Sequence, residues 1–417
     1  DDVESRGLGD VYKRQILWFS NIKLTETQMS GSGTWISGMN DLLSTYYPDV
    51  QIANVTIAEV DTVCEEIVRG RSQWVLPKKT TAEDVDLFTT IIDSYHPDII
   101  QIWGTEFFWA TIPFETICPN VPVVLDMQGF YSSVLDVLYG DLTIQERIRC
   151  FSIKEFLRPS SSLIALSRRL HKSVNREEEV IRKYKIISVQ SNWVKENVNL
   201  LNPKATIYET RIALRPQFFQ SVKWNIKRME PYTIFSTASI IEPTKGSFTL
   251  LKAFREVKRL LPQAKLLLAG SIQTGIRKSG YMRLMEQFIY SNGLSGSVSF
   301  LGSLSTYDLI KTYLHSNVFV NPSYAESYSL ILAESTYLGV PTVATYAGAM
   351  GELGNSDSLS YFSKYDYRSC ASKIISILTD QVLAKRLSMQ SMIFSEKKHD
   401  PKTVAATQFS IYNSVLK

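Results

Sequence analysis

The C-terminal half of the chain alternates between two hydrophobic periods. Short apolar runs at residues 232–238, 265–269, 298–301, 318–321 and 342–346 have the length of buried strands. Between them, residues 246–261 carry Phe248, Leu251, Phe254, Val257 and Leu261 at helical spacing, and 281–291, 307–315 and 330–338 also read as helices. Ser305 followed three positions later by Asp308 is a capping signal for the helix at 307–315. Two further helices are predicted at 369–379 and 381–395. Strands this short, alternating with helices, make βαβ units and a parallel sheet with right-handed crossovers.

The N-terminal half repeats the theme less cleanly. Strands are predicted at 16–20, 51–57, 98–103, 121–126 and 186–190, and helices at 35–46, 84–95, 107–116, 142–156 and 193–200. The expected fold class is α/β, with two doubly wound Rossmann-like domains facing across a cleft. The N-terminal domain spans 16–220 and the C-terminal domain 221–395, with a final helical segment, 396–417, packing back on the first domain. The boundary region, 216–231, has weak periodicity and a proline at each end. In such folds ligands sit at the C-terminal ends of the strands. Residues 1–15 (DDVESRGLGDVYKRQ) lack an initiator Met and any apolar period, and are read as a non-native tail outside the fold, or else as a disordered leader.

Composition narrows the class. With 417 residues, 44% of them hydrophobic, each half can bury its own core. The apolar runs are strand-sized, too short to span a bilayer, and 16–20 is too short for a secretory h-region. The four cysteines, Cys64, Cys118, Cys150 and Cys370, lie far apart with no Cys-x-x-Cys. Reduced thiols and a cytoplasmic setting are therefore expected, with no structural zinc. A net charge of +4 is too mild to argue for nucleic acid.

The sharpest chemical feature is 321–341, NPSYAESYSLILAESTYLGVP. A strand ends at Asn321-Pro322-Ser323, a loop carries Glu326, a helix begins near Ser329, and Glu334 follows eight residues after Glu326. Glu334 stands among Leu330, Ile331, Leu332, Ala333, Tyr337 and Leu338, where a carboxylate is costly unless paired. Two ribose hydroxyls would suit it; the other reading is a carboxylate pointing to solvent from an amphipathic helix. The free N–H groups at the helix start form an anion site suited to a diphosphate. Residues 30–34, SGSGT, place glycines after the first strand, where backbone can approach a phosphate or sugar or simply form a flexible connection.

Glu326 and Glu334 match the E-(seven residues)-E motif, and the chain resembles the retaining GT-B glycosyltransferases of that family (glycosyltransferase family four, glycosyl transferases group one), in particular bacterial surface-polysaccharide members. Thr244-Lys245-Gly246 is similar to the family's lysine–glycine turn, residues 298–302 (VSFLG) to its strand–glycine step beside the base, and 347–352 (AGAMGE) to its glycine-rich turn. Residues 96–106 and 123–129 resemble the N-terminal strand motifs of one branch.

The resemblance implies transfer of a sugar from a nucleotide-diphosphate sugar to a glycan or lipid-linked acceptor, with retention and with neither metal nor cofactor. Glu326, Lys245 and Gln128 would serve catalysis. Glu334 would hold the ribose, with Gly33, Gly246, Gly302, Ser327, Tyr328, Ser329 and Leu330 around the donor. Three departures stand out. Ile240 replaces an arginine five residues before the lysine, Gln128 replaces a histidine, and Ser327 and Ser329 replace glycines. Residues 145–185 hold eleven Lys/Arg against five Asp/Glu, which fits either peripheral contact with an anionic membrane or a solvated helix face. A sugar-nucleotide epimerase and a non-catalytic sugar-nucleotide-binding scaffold are the alternative readings.

Overall fold

A computed structural model describes residues 14–25, 34–150, 163–239, 241–273, 275 and 278–417. Among these, the N-terminal half forms a sheet of β1 (Arg14–Phe19), β2 (Val50–Ala58), β3 (Cys64–Val68), β4 (Arg71–Pro77), β5 (Ile99–Trp103), β6 (Val123–Asp126), β7 (Ile186–Val189) and β8 (Thr206–Glu209). Their order is β3-β4-β2-β1-β5-β6-β7-β8. All pairs are parallel except β3 with β4. The second sheet comprises β9 (Thr233–Ser236), β10 (Lys265–Ala269), β11 (Val298–Gly302), β12 (Val318–Asn321), β13 (Thr342–Thr345) and β14 (Ser360–Phe362). Its order is β11-β10-β9-β12-β13-β14, parallel throughout.

The central strands are buried on both faces, as expected where helices cover both sides: β5 and β12 are buried at every residue. Each sheet has a switch point. The chain winds outward from β9 through β10 to β11, then returns to the other flank of β9 as β12. In the first sheet the reversal falls between β1 and β5. Loops on opposite sides of a switch point diverge, and the crevice between them is where α/β folds bind ligands.

The structure departs from the sequence pattern in particular places. Strand β1 begins at Arg14, so Arg14 and Gln15 belong to the fold; the Gln15 amide donates to Asp98 Oδ2 at 2.8 Å. The helix expected at 107–116 is a 3₁₀ turn, Phe108–Thr111, and a short helix, Phe114–Ile117. Pro113 divides them, since it lacks an amide proton and pushes Ile112 into extended backbone (ψ 135°). The β3–β4 hairpin escaped the pattern because β3 (CEEIV) is a mostly exposed, charged edge. It turns on Arg69 and Gly70, both at positive φ. The helix expected at 142–156 is described only as Ile144–Cys150, and a 21-residue helix, Leu163–Lys183, follows.

The region 216–231 is not a loose linker. Phe218 and Trp224 sit in the core of the second sheet's domain. The Trp224 indole donates to the Ser316 carbonyl at 2.8 Å. At the other end, Asp400 caps the helix Pro401–Val415, which packs on the helix Thr34–Tyr46 of the first domain. There the Tyr412 hydroxyl accepts from Trp18 Nε1 at 3.1 Å and donates to Gln101 Oε1 at 2.5 Å. Among the described residues no helix is long and apolar enough to cross a membrane.

Candidate functional site

The switch point of the second sheet is bridged by an ion pair. The loop after β9 ends in a 3₁₀ turn, Pro243–Lys245; the loop after β12 carries Glu326. Lys245 Nζ donates to Glu326 Oε1 at 2.9 Å, and Ser323 Oγ donates to the same oxygen at 2.7 Å. Glu326's charge, more than any other cause, holds the Lys245 ammonium above its ordinary pKa. The two loops come this close because of Gly246. Its φ is +70°, and a Cβ there would stand 1.9 Å from the Pro322 carbonyl oxygen.

Following Glu326, residues 327–329 lead into the helix Leu330–Leu338. Ser329, where the resemblance anticipates glycine, adopts φ +87° and is held there by Asn321 Nδ2, which donates to its hydroxyl at 2.9 Å. The Ser329 side chain does not cap this helix. The Tyr328 side chain turns away from the loop; its hydroxyl bonds the buried His399 Nε2 at 2.6 Å. Burial depresses the His399 pKa to about 4, and its Nδ1 lies 2.9 Å from the Ser395 carbonyl, which can only accept, leaving Nε2 to accept from Tyr328. Gly302 ends β11 at φ +70°, where a Cβ would stand 4.0 Å from the Ile272 Cδ1 methyl.

Glu334 is 2% exposed, which rules out the solvent-facing reading. Its carboxylate is paired with a residue no local pattern supplied. Arg215, 119 residues earlier, donates from Nε to Oε1 at 2.8 Å and from Nη2 to Oε2 at 2.7 Å. Burial pushes the Glu334 pKa up, and the Arg215 charge opposes it. The only advance signal for Arg215 was a cation directly after the apolar run Ile212-Ala213-Leu214.

Across the cleft, β6 ends at Asp126, with Gln128 two residues on. Gln128 Nε2 donates to Asp126 Oδ1, joined by Gln190 Nε2 at 3.1 Å, while Ser188 Oγ donates to Oδ2 at 2.6 Å. Burial raises the Asp126 pKa to about 7 despite these donors. Nearby, Glu177 accepts from the Thr105 hydroxyl at 2.8 Å and the Tyr131 amide at 2.7 Å, and burial raises it to about 7 as well. Burial also raises the Glu106 pKa, against the Arg176 charge. Sequence reasoning missed these carboxylates because they come from β6, a loop and a helix that no spacing links.

The halves meet at the mouth of the cleft. Ser327 Oγ donates to the Gln128 carbonyl and Ser191 Oγ to the Ser327 carbonyl, both at 2.9 Å. Glu352 accepts from the Asn192 and Trp193 amides at 2.9 and 2.8 Å, capping the helix Asn192–Leu201 of the opposite domain. The structure thus brings Glu326, Lys245, Gly246, Ser327 and Gln128 around one crevice. Glu334 is buried in the helix that follows this loop, the Tyr328 side chain points away toward His399, and Gly33 and Ile240 lie outside the described residues. Among the described residues no group of three or more His, Cys, Asp or Glu side chains could hold a metal ion.

Residues 217–392 match the family described as Glycosyl transferases group 1. The chain is 26% identical over 245 residues to the capsular polysaccharide biosynthesis glycosyltransferase CapM of Staphylococcus aureus, a match covering 56% of this chain and 60% of that protein. It is 25% identical over 242 residues to the uncharacterized glycosyltransferase YqgM of Bacillus subtilis, covering 58% and 64%. The matches therefore span less than two thirds of these relatives' lengths. Among solved structures, sucrose-phosphate synthase from Thermosynechococcus elongatus superposes with a TM-score of 0.70 at 15% identity, covering 96% of this chain and 99% of that one. Anabaena Alr3699/HepE in complex with UDP and glucose gives 0.64 at 14% identity, covering 96% and 100%. The fold is GT-B: two parallel-sheet Rossmann-like domains facing across a cleft.

Proposed function

We propose that the chain is a retaining, metal-independent glycosyltransferase of the hexosyl-transferring kind. It would move a sugar from a nucleoside diphosphate sugar to a glycan or lipid-linked acceptor in bacterial surface-polysaccharide assembly. The observation that carries this reading is the Lys245–Glu326 pair set across the switch point of the second sheet, opposite Gln128. The match of residues 217–392 to a glycosyltransferase family supports it.

In this reading Glu326 accepts hydroxyls of the donor sugar, and Lys245 turns from Glu326 toward the diphosphate as it arrives. The N–H groups of Ser327, Tyr328, Ser329 and Leu330 add the helix-start dipole to the same charge. Gly246 and Gly302 give backbone access to diphosphate and base, with Gly33 approaching from the other domain. The Gln128 amide meets the sugar from the acceptor side. Catalysis is then positioning plus stabilisation of the departing diphosphate by fixed positive groups.

A membrane-bound acceptor fits one further feature. Ile144 and Ile148 are 75% and 63% exposed on one helix and Ile164 is exposed on another, with Arg149, Arg168, Arg169 and Lys172 exposed on the same two helices. Apolar side chains with cations beside them suit an anionic lipid face.

The test is turnover against a panel of UDP-, GDP- and ADP-sugars, with the product anomer assigned by NMR and each assay repeated in EDTA. Transfer with retained configuration, undiminished by chelator, is expected. Binding without transfer would point to a scaffold, and an inverted product or a chelator-sensitive rate would refute the mechanism.

A further inference from the structure

Arg215 does more than fill a gap. It ends the loop that leaves β8 and precedes Pro216, which holds it in extended backbone (φ −63°, ψ 136°). From there its guanidinium reaches two other segments. Nε and Nη2 form a parallel fork on the Glu334 carboxylate, and Nη1 donates to Thr306 Oγ1 at 3.1 Å. Thr306 is the first residue of the helix after β11, and Glu334 belongs to the helix after β12. Phe218 packs under the guanidinium, 4.9 Å from its carbon. The ion pair is buried on both sides, with side chains 11% and 2% exposed.

A carboxylate offers about four lone-pair directions. The fork takes one on each oxygen, which leaves one on each for a pair of hydroxyl donors. A buried carboxyl with no counter-charge takes up a proton, and a protonated carboxyl accepts poorly. The planar fork also fixes the rotation of the carboxylate, which a lysine ammonium cannot do. We propose that Arg215 is a positioning residue for the donor nucleotide: through its fork it sets the orientation and ionisation of Glu334, so that the two free lone pairs meet the vicinal hydroxyls of the ribose. This rests on the donor-binding reading given above.

The test must separate that role from simple support of the fold. Calorimetry would compare UDP with 2′-deoxy-UDP, and GDP with 2′-deoxy-GDP, on the wild type, Glu334→Gln, Arg215→Lys and Arg215→Met. The wild type is expected to prefer the ribonucleotide by about tenfold or more, the worth of one charge-assisted hydrogen bond. Glu334→Gln, Arg215→Lys and Arg215→Met should each reduce that preference to about twofold. Arg215→Lys keeps the charge without the fork, and serves if the methionine variant unfolds. Arginine variants that lose thermal stability yet keep the full ribose preference would make Arg215 purely structural and overturn the proposal. A wild type that binds the diphosphates without ribose preference would overturn this proposal and leave the donor-binding reading standing; no binding to any diphosphate would overturn both.

Discussion

The Lys245 side chain is 37% accessible, beside a Glu326 that is 15% accessible. An ion pair this open adds little to stability. Replacing Lys245 by Ala should therefore change unfolding free energy by less than about 1 kcal/mol. Turnover should fall by about tenfold or more, since 1.4 kcal/mol of lost transition-state binding is a factor of ten. Steady-state kinetics with denaturant unfolding decides the matter, and an active Lys245→Ala enzyme would remove the lysine from the mechanism. The buried carboxyls Asp126 and Glu177 make a different prediction. Burial raises both to about 7 in the folded chain, above their ordinary values of 3.8 and 4.5. The folded state then holds protons that the unfolded chain releases. The stability these groups contribute is present below about pH 4 and is lost as pH rises to about 7, by up to roughly 1.4 kcal/mol per pH unit per group. Urea unfolding of Asp126→Asn between pH 4.5 and 7.5 should show a shallower decline than the wild type; parallel curves would contradict the assignment.

At the scale of elements, the crevice depends on two loops held at a distance that only glycine permits. Alanine at 246 would force a positive φ on an L-residue and drive a methyl into the Pro322 carbonyl. Gly246→Ala should cost more than about 2 kcal/mol and abolish turnover together with the Lys245–Glu326 geometry. Thermal denaturation and kinetics would read both, and a variant of wild-type stability would mean that the loops need not touch. The serine at 329 shows the opposite solution: an L-residue kept at φ +87° by a hydrogen bond from Asn321 rather than replaced by glycine.

For the whole molecule, the exposed isoleucines and cations on the helices Ile144–Cys150 and Leu163–Lys183 set an expectation about location. Co-sedimentation with vesicles containing anionic phospholipid should be strong at low salt and fall as salt screens the cations, each worth about 1 kcal/mol near the surface. Ile148→Glu with Arg168→Glu should abolish it while leaving transfer to a soluble acceptor intact. Equal recovery in the supernatant at low and high salt would leave that face merely solvated. The cleft itself is closed by groups from both halves, including Ser327 on Gln128 and Glu352 on the helix Asn192–Leu201.

The sequence by itself determined the alternation of strand and helix, because burial on two faces or on one leaves a period that survives in the linear chain. Strands β10 and β12 and the helix Leu330–Leu338 were legible to the residue, as was the Ser305 cap on Asp308. So was the local cluster Glu326, Ser327 and Ser329, since a loop and the helix after it are contiguous. Elements whose pattern is set by an edge or a turn were not legible: β3 has no apolar face to repeat, and Pro113 breaks a run that is otherwise helical in composition. Tertiary structure alone decided who pairs with whom. Glu334 announced that it needed a partner, but Arg215 lies 119 residues away, and Asp126 meets Gln190 across 64. Burial cost is a property of one residue and can be read locally. The charge or hydrogen bond that offsets it depends on chain crossings that bring distant segments together, and those exist only once the sheets have formed.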